Sequence, residues 1–271
     1  MDNLAEREVS RLLSLWMLAP AGANVVMQLS RPEVARGVLE SPVRESSLRE
    51  RPFKRTRTTL AYVGLALMGT HEERVALRRS VDQQHRRVRA SEPLPYNAFR
   101  PDLQLWVAAC MYVGLRDGYR VLYGEPSATL ADLHYDNAAR FATTLQVPEH
   151  LWPVDRAAFE QYWRESLTTL ATDDDTLRFC DDLVHLRFWP PLFQRLGGRA
   201  HARLSRGFLA PEFRALFGWE WTAQDQEWFD RAIRIMRKVS RLLPPAVWSV
   251  PFRLVVAHAR WRIRRGRAVT D

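Results

Sequence analysis

The stretch LQLWVAACMYVGL, residues 103–115, is apolar nearly all the way round, and no other feature limits the fold so strongly. A helix with no polar face has to be enclosed by other elements, so this one is expected at the centre of the molecule. Its surroundings are also readable. Residues 12–29 predict two buried helices turned at Pro20 and Gly22, and residues 33–39 predict a short helix that ends before Pro42. Residues 44–54 form a charged connector. The turn at 69–71 makes the helices on either side an antiparallel pair, and 91–101 is a proline-punctuated loop carrying Tyr96 and Phe99. Asp102 is then placed to cap the apolar helix.

The second half repeats the same grammar. A helix over 130–145 ends before Pro148, Asp155 caps the next, and Asp173 opens a third that Pro190 and Pro191 close. Gly197 and Gly198 predict a loop ahead of a helix from His201, Pro211 starts another, and Thr222 with Asp225 reads as a capping box. A last helix begins near Pro251 and ends in a basic run, 260–267, expected to be a frayed, solvated helix end. No segment sustains period-two alternation. The fold class is therefore all-α, a single domain over 1–271 of roughly ten helices at usual helix lengths.

Composition narrows the functional classes. The net charge is +9, which makes nucleic acid or an anionic membrane surface candidate partners. The basic residues read as scattered among acids, which counts against nucleic acid and leaves peripheral membrane contact open. Two cysteines, Cys110 and Cys180, fall in predicted helices and are too few for a disulfide framework, so a reduced, cytoplasmic setting is expected. Residues 1–12 lack the pattern of a secretory signal. There is no GxGxxG, Walker loop, HExxH, CxxC or G-x-S-x-G elbow. The run Asp173, Asp174, Asp175 is better read as helix capping than as a cation site.

Chemistry concentrates between residues 55 and 107. Leu77, Val81, His85 and Val88 recur at steps of four, four and three within 72–90, so His85 points inward on an otherwise apolar stripe. A neutral imidazole there needs a partner, either a hydrogen-bonding group or a metal. On the preceding helix Arg55, Thr59, Tyr62 and Ala66 share a face.

Taken in order, VVMQLSRPEVARGVLES, RTRTTLAYVGLALMGT, HRRV, PYNAFRPDLQLWV and LPPAVWSVPFRLVVAHARWR resemble the MpaB-type oxygenases, which include the catalytic domain of rubber oxygenase. The resemblance runs from about residue 20 to residue 262. It implies a globin-like all-α core holding haem b, with His85 as the axial iron ligand and Arg55 and Thr59 close to the haem. It further implies O2 and a hydrophobic substrate, such as an isoprenoid or other unsaturated chain cleaved at a carbon–carbon double bond, and it offers Glu40 as a base near the haem. Thr58 stands where rubber-cleaving members carry a lysine, and Arg31, Ala108, Arg89 and Ala90 also depart from the family pattern. Those departures keep a second class in view, a non-catalytic helical protein that binds a lipid or another hydrophobic partner in the same cavity.

Overall fold

The structure is a computed structural model that describes residues 8–44, 47–92 and 94–270. It is all-α. Residues 8–12 form α1, followed by a 3-10 turn at Leu15–Leu18, α2 at Ala21–Leu29 and α3 at Pro32–Leu39. The helices α4 (Pro52–Met68), α5 (His71–His85), α6 (Pro101–Tyr123) and α7 (Ala128–Thr143) complete the first half. The second half holds α8 (Arg156–Leu167), α9 (Asp174–Val184), α10 (Pro191–Phe208), α11 (Pro211–Leu216), α12 (Ala223–Ser240), α13 (Pro245–Trp248) and α14 (Val250–Arg264).

The apolar helix is central, as expected. Fourteen residues of α6 are buried, including Trp106 and Tyr112. Trp106 stacks on Trp163 of α8 at 5.2 Å, and Tyr112 meets Phe159 edge-on at 4.8 Å. Two hydrogen bonds tie α2 to this centre: Asn24 Nδ2 donates to the Cys110 carbonyl at 2.6 Å, and Trp106 Nε1 donates to the Gln28 carbonyl at 3.1 Å. Both cysteines are buried and free. A smaller cluster of Ala61, Leu65, Leu77, Val256, Ala259 and Val269 joins α4, α5 and α14.

Local signals set most boundaries. Asp155 and Asp173 accept from the N–H groups of Ala158 and Thr176 at 2.8 Å each, and Thr222 forms its capping box with Asp225. Thr70 forms a second box with Glu73 at the start of α5. Residues 8–18 and Ala21–Leu29 bend by 80° against one another, and among the described residues no single helix is long and apolar enough to cross a membrane. The expectation concerning a signal at 1–12 falls in part on residues 1–7, outside those described.

Four expectations are corrected. The helix expected to run through 72–90 stops at His85, so Val88 leaves the stripe. Arg89–Ala90 instead pairs antiparallel with Tyr96–Asn97, because the proline-rich return beyond it cannot extend a helix. Arg100, not Asp102, is the N-cap of α6. Pro101 occupies the first helical position and Asp102 sits in the first turn, 2.6 Å from Arg100. Gly197 and Gly198 lie inside α10, not in a loop. A Cβ on Gly198 would lie 2.6 Å from the His185 carbonyl oxygen, so the missing side chain serves close packing. The basic end is not frayed. Arg260 pairs with Glu73 at 2.8 Å, Arg262 donates to the Ala268 carbonyl at 2.6 Å, and the Val269 N–H donates to Ser80 Oγ at 2.9 Å.

Candidate functional site

The site is built from the antiparallel pair α4 and α5 with the turn that follows. The capping box starts α5, and Leu77 turns its inner face into the small cluster. Two turns later that face delivers His85 at the last position of the helix. The imidazole is half-buried, and its Nδ1 is fully enclosed with no hydrogen-bond partner among the described residues. The Phe99 ring meets it edge-on at 6.2 Å.

Electrostatics keep this imidazole neutral. Burial first, and the Arg55 charge second, lower its pKa to about 4, while Asp82 pulls in the opposite direction. Arg55 itself is unusual. Its side chain is exposed, yet protein crowds its guanidinium closely enough that desolvation lowers its pKa. The two together describe a crowded position at the surface of the fold. Among the described residues no carboxylate pairs with this guanidinium.

Thr59 sits one turn after Arg55 and is also exposed, whereas Thr58 is buried. Both hydroxyls donate to the Arg55 carbonyl at 2.9 Å, leaving the Thr59 oxygen able to accept a further hydrogen bond. Tyr62, on the same face, donates to the Phe141 carbonyl at 2.6 Å, so this phenol fastens α4 to α7.

Glu40 lies elsewhere. It ends α3, pairs with Arg36 at 2.8 Å and hydrogen-bonds with Tyr96, which helps raise the tyrosine's pKa after burial has done so. The structure thus brings Arg55 into electrostatic reach of His85 and sets Thr59 beside Arg55, but shows no contact between Glu40 and any of the three.

Asp82 was missed from the sequence, although its place three residues before His85 puts it on the neighbouring turn. Gln146 donates to its carboxylate, the Gln104 carboxamide bridges Gln146 to the Ala98 carbonyl, and the Gln104 side chain also accepts from the Gln146 N–H at 2.9 Å. This chain of amides holds the last turn of α5 and the segment carrying Phe99 against α6.

The structure is thus an all-α domain with an inward imidazole at the end of α5 and a guanidinium within its electrostatic reach. The particular family is shown by comparison. Residues 10–238 match the family described as ER-bound oxygenase mpaB/B'/Rubber oxygenase, catalytic domain, and the chain belongs to it. It is therefore an oxygenase-type catalytic domain, and family membership implies O2 and a small-molecule substrate. The chain is also 43% identical over 255 residues to the uncharacterized proteins Rv2237 of Mycobacterium tuberculosis and Mb2261 of Mycobacterium bovis. Each alignment covers 93% of this chain and 100% of the relative. No solved structure matches the chain.

Proposed function

We propose that this protein is a haem b-dependent oxygenase that uses O2 on a hydrophobic, unsaturated substrate, with oxidative cleavage of a carbon–carbon double bond as the reaction. The observation that carries the reading is His85, a neutral imidazole whose enclosed Nδ1 has no partner among the described residues and which feels the charge of Arg55. Among the described residues there is no group of three His, Cys, Asp or Glu side chains able to hold a metal ion. One protein histidine would suffice for an iron that a porphyrin already holds.

In this reading His85 would hold the haem iron, and its depressed pKa keeps the lone pair available throughout the neutral range. Arg55 would supply a cation for a haem propionate. Thr59, its own proton given to the Arg55 carbonyl, would present an acceptor one turn from Arg55. Bound haem would supply the activation of dioxygen, and the apolar helices would exclude water and admit an apolar substrate. Glu40 is left out of the proposed set because Arg36 and Tyr96 engage it.

The test is the absorption spectrum and iron content of protein produced with haem precursor. A Soret band that disappears in His85→Ala is the expected result. A colourless, iron-free protein that copurifies with a hydrophobic ligand would replace this reading with the non-catalytic one, and His85→Ala protein with full haem content would remove His85 as the ligand.

A further inference from the structure

Between residues 231 and 270 the chain has eleven arginines and lysines and no aspartate or glutamate. The mixing of charges therefore stops at Asp230, and the remainder carries more positive charge than the +9 of the whole chain. Most of this segment lies past the family match, which ends at residue 238.

The structure gives the segment two faces. Phe252, Val256 and Ala259 of α14 are buried, the last two in the cluster with α4 and α5. On the opposite side Val250, Leu254 and Trp261 follow at helical steps of four and seven and are exposed, Leu254 by 65%. The turn between α12 and α13 adds Leu242, 74% exposed, and Leu243, while α13 adds Val247. These apolar tips are held in place. Trp248 Nε1 donates to the Ser240 carbonyl at 3.0 Å across the turn, Ser249 Oγ donates to the Ala246 carbonyl at 2.8 Å, and Trp248 packs edge-on against Trp16 at 5.0 Å. Cations stand among them. Arg265 and Arg267 lie over the Trp261 ring at 5.9 and 5.4 Å, and Arg11, Arg241 and Arg253 line a groove of about 760 Å³ rimmed by Leu242 and Leu243.

We propose that this surface docks on an anionic phospholipid bilayer, with α14 lying in the plane of the interface. Exposed leucines and valines gain by entering the acyl boundary, tryptophan suits headgroup depth, and arginines can reach lipid phosphates while their stems stay in apolar surroundings. A second copy of the chain fits less well, because a two-fold contact through this face would set cations against cations. Nucleic acid would satisfy the arginines and give the apolar tips no partner. The proposal stands whether or not His85 holds haem.

The experiment is cosedimentation of the full chain with vesicles of phosphatidylcholine and phosphatidylglycerol in equal amounts, against vesicles of phosphatidylcholine alone, at low and high salt. Binding to the anionic vesicles should weaken with salt. It should fall by roughly tenfold or more on neutral vesicles and in a Leu242→Asp, Leu254→Asp double variant. Arg241→Glu should give a smaller loss, and melting followed by circular dichroism checks that each variant is folded. Val154→Asp, at an 89% exposed apolar position before α8, should bind like the unaltered protein. No binding to anionic vesicles at low salt would overturn the proposal. So would an undiminished double variant, an equal loss in Val154→Asp, or tighter binding to duplex DNA that the leucine substitutions leave unchanged.

Discussion

The charge of Arg55 bears on the imidazole of His85 across the α4–α5 pair, and after burial it is the strongest influence holding that imidazole near pKa 4. The relationship can be tested on the protein without haem. Replacing Arg55 with methionine keeps much of the side-chain volume and removes the charge, so the His85 pKa should rise toward its ordinary value. NMR titration of the labelled imidazole reads this directly. An unchanged titration would mean that the guanidinium does not act on the ring.

Asp82 supplies the opposite control. Its carboxylate raises the His85 pKa, and Asp82→Asn retains an oxygen for Gln146 while losing the charge. The same titration should then move below its value in the unaltered protein. Movement upward would show that the carboxylate acts by positioning the turn and not by its charge.

The depressed pKa also has a stability consequence with a definite sign. In the unfolded chain His85 takes up a proton near its ordinary pKa of about 6.5, whereas in the folded chain it does so only near 4. Folding is therefore favoured above about pH 6.5 by up to about 3 kcal/mol, and this advantage is lost as pH falls through the interval down to 4. Burial also lowers the pKa of His134 and His201, so the His85 share must be read as a difference. Denaturant unfolding of the haem-free protein and of His85→Leu should show the steeper loss in the unaltered protein. Parallel curves would count against a buried neutral His85.

What the sequence made legible was local. Asp155, Asp173 and the Thr222–Asp225 pair marked helix starts because a cap bonds to N–H groups only three residues away. His85 and the Arg55–Thr59 face were readable because helical phase depends on nothing outside the helix. The misses depended on partners distant in the chain. Gly197 and Gly198 look like a loop until the His185 carbonyl is seen against Gly198, and the basic end looks frayed until Ser80 and Glu73 receive it. The early end of α5 belongs to the same class, since its cause is the strand Tyr96–Asn97 on the far side of a proline-rich return. Arg55 is an intermediate case. Its position on the helix face was visible, but the crowding of its exposed guanidinium, with no carboxylate partner among the described residues, required the fold.

The cap on α5 connects a local signal to the site. Thr70 Oγ accepts from the Glu73 N–H at 3.2 Å, and Glu73 accepts from the Thr70 N–H at 3.0 Å while pairing with Arg260 of α14. Thr70→Ala should cost about 1 kcal/mol in denaturant unfolding. It leaves the far end of the helix alone, so the His85 titration should stay where it is. A shifted titration would mean that the first turn of α5 governs the placement of His85.

The α4–α14 crossing provides the sharpest packing test. A Cβ on Gly64 would overlap Val256 Cγ2, and Val256 is β-branched and buried in the small cluster, so it cannot swing aside. Alanine favours a helix over glycine by about 1 kcal/mol, which would make Gly64→Ala stabilising if the site were open. Overpacking costs typically about 1–3 kcal/mol, and at this enclosed position it should win. The single variant is therefore expected to be less stable than the unaltered protein. Val256→Ala alone should also lose stability by leaving a void, but the two changes together should lose much less than their sum, since the new methyl occupies the space the valine gave up. Unfolding of all four proteins measures the coupling. Simple additivity would show that the two helices separate to accommodate the methyl group and that the close crossing is not what fixes α14 against α4.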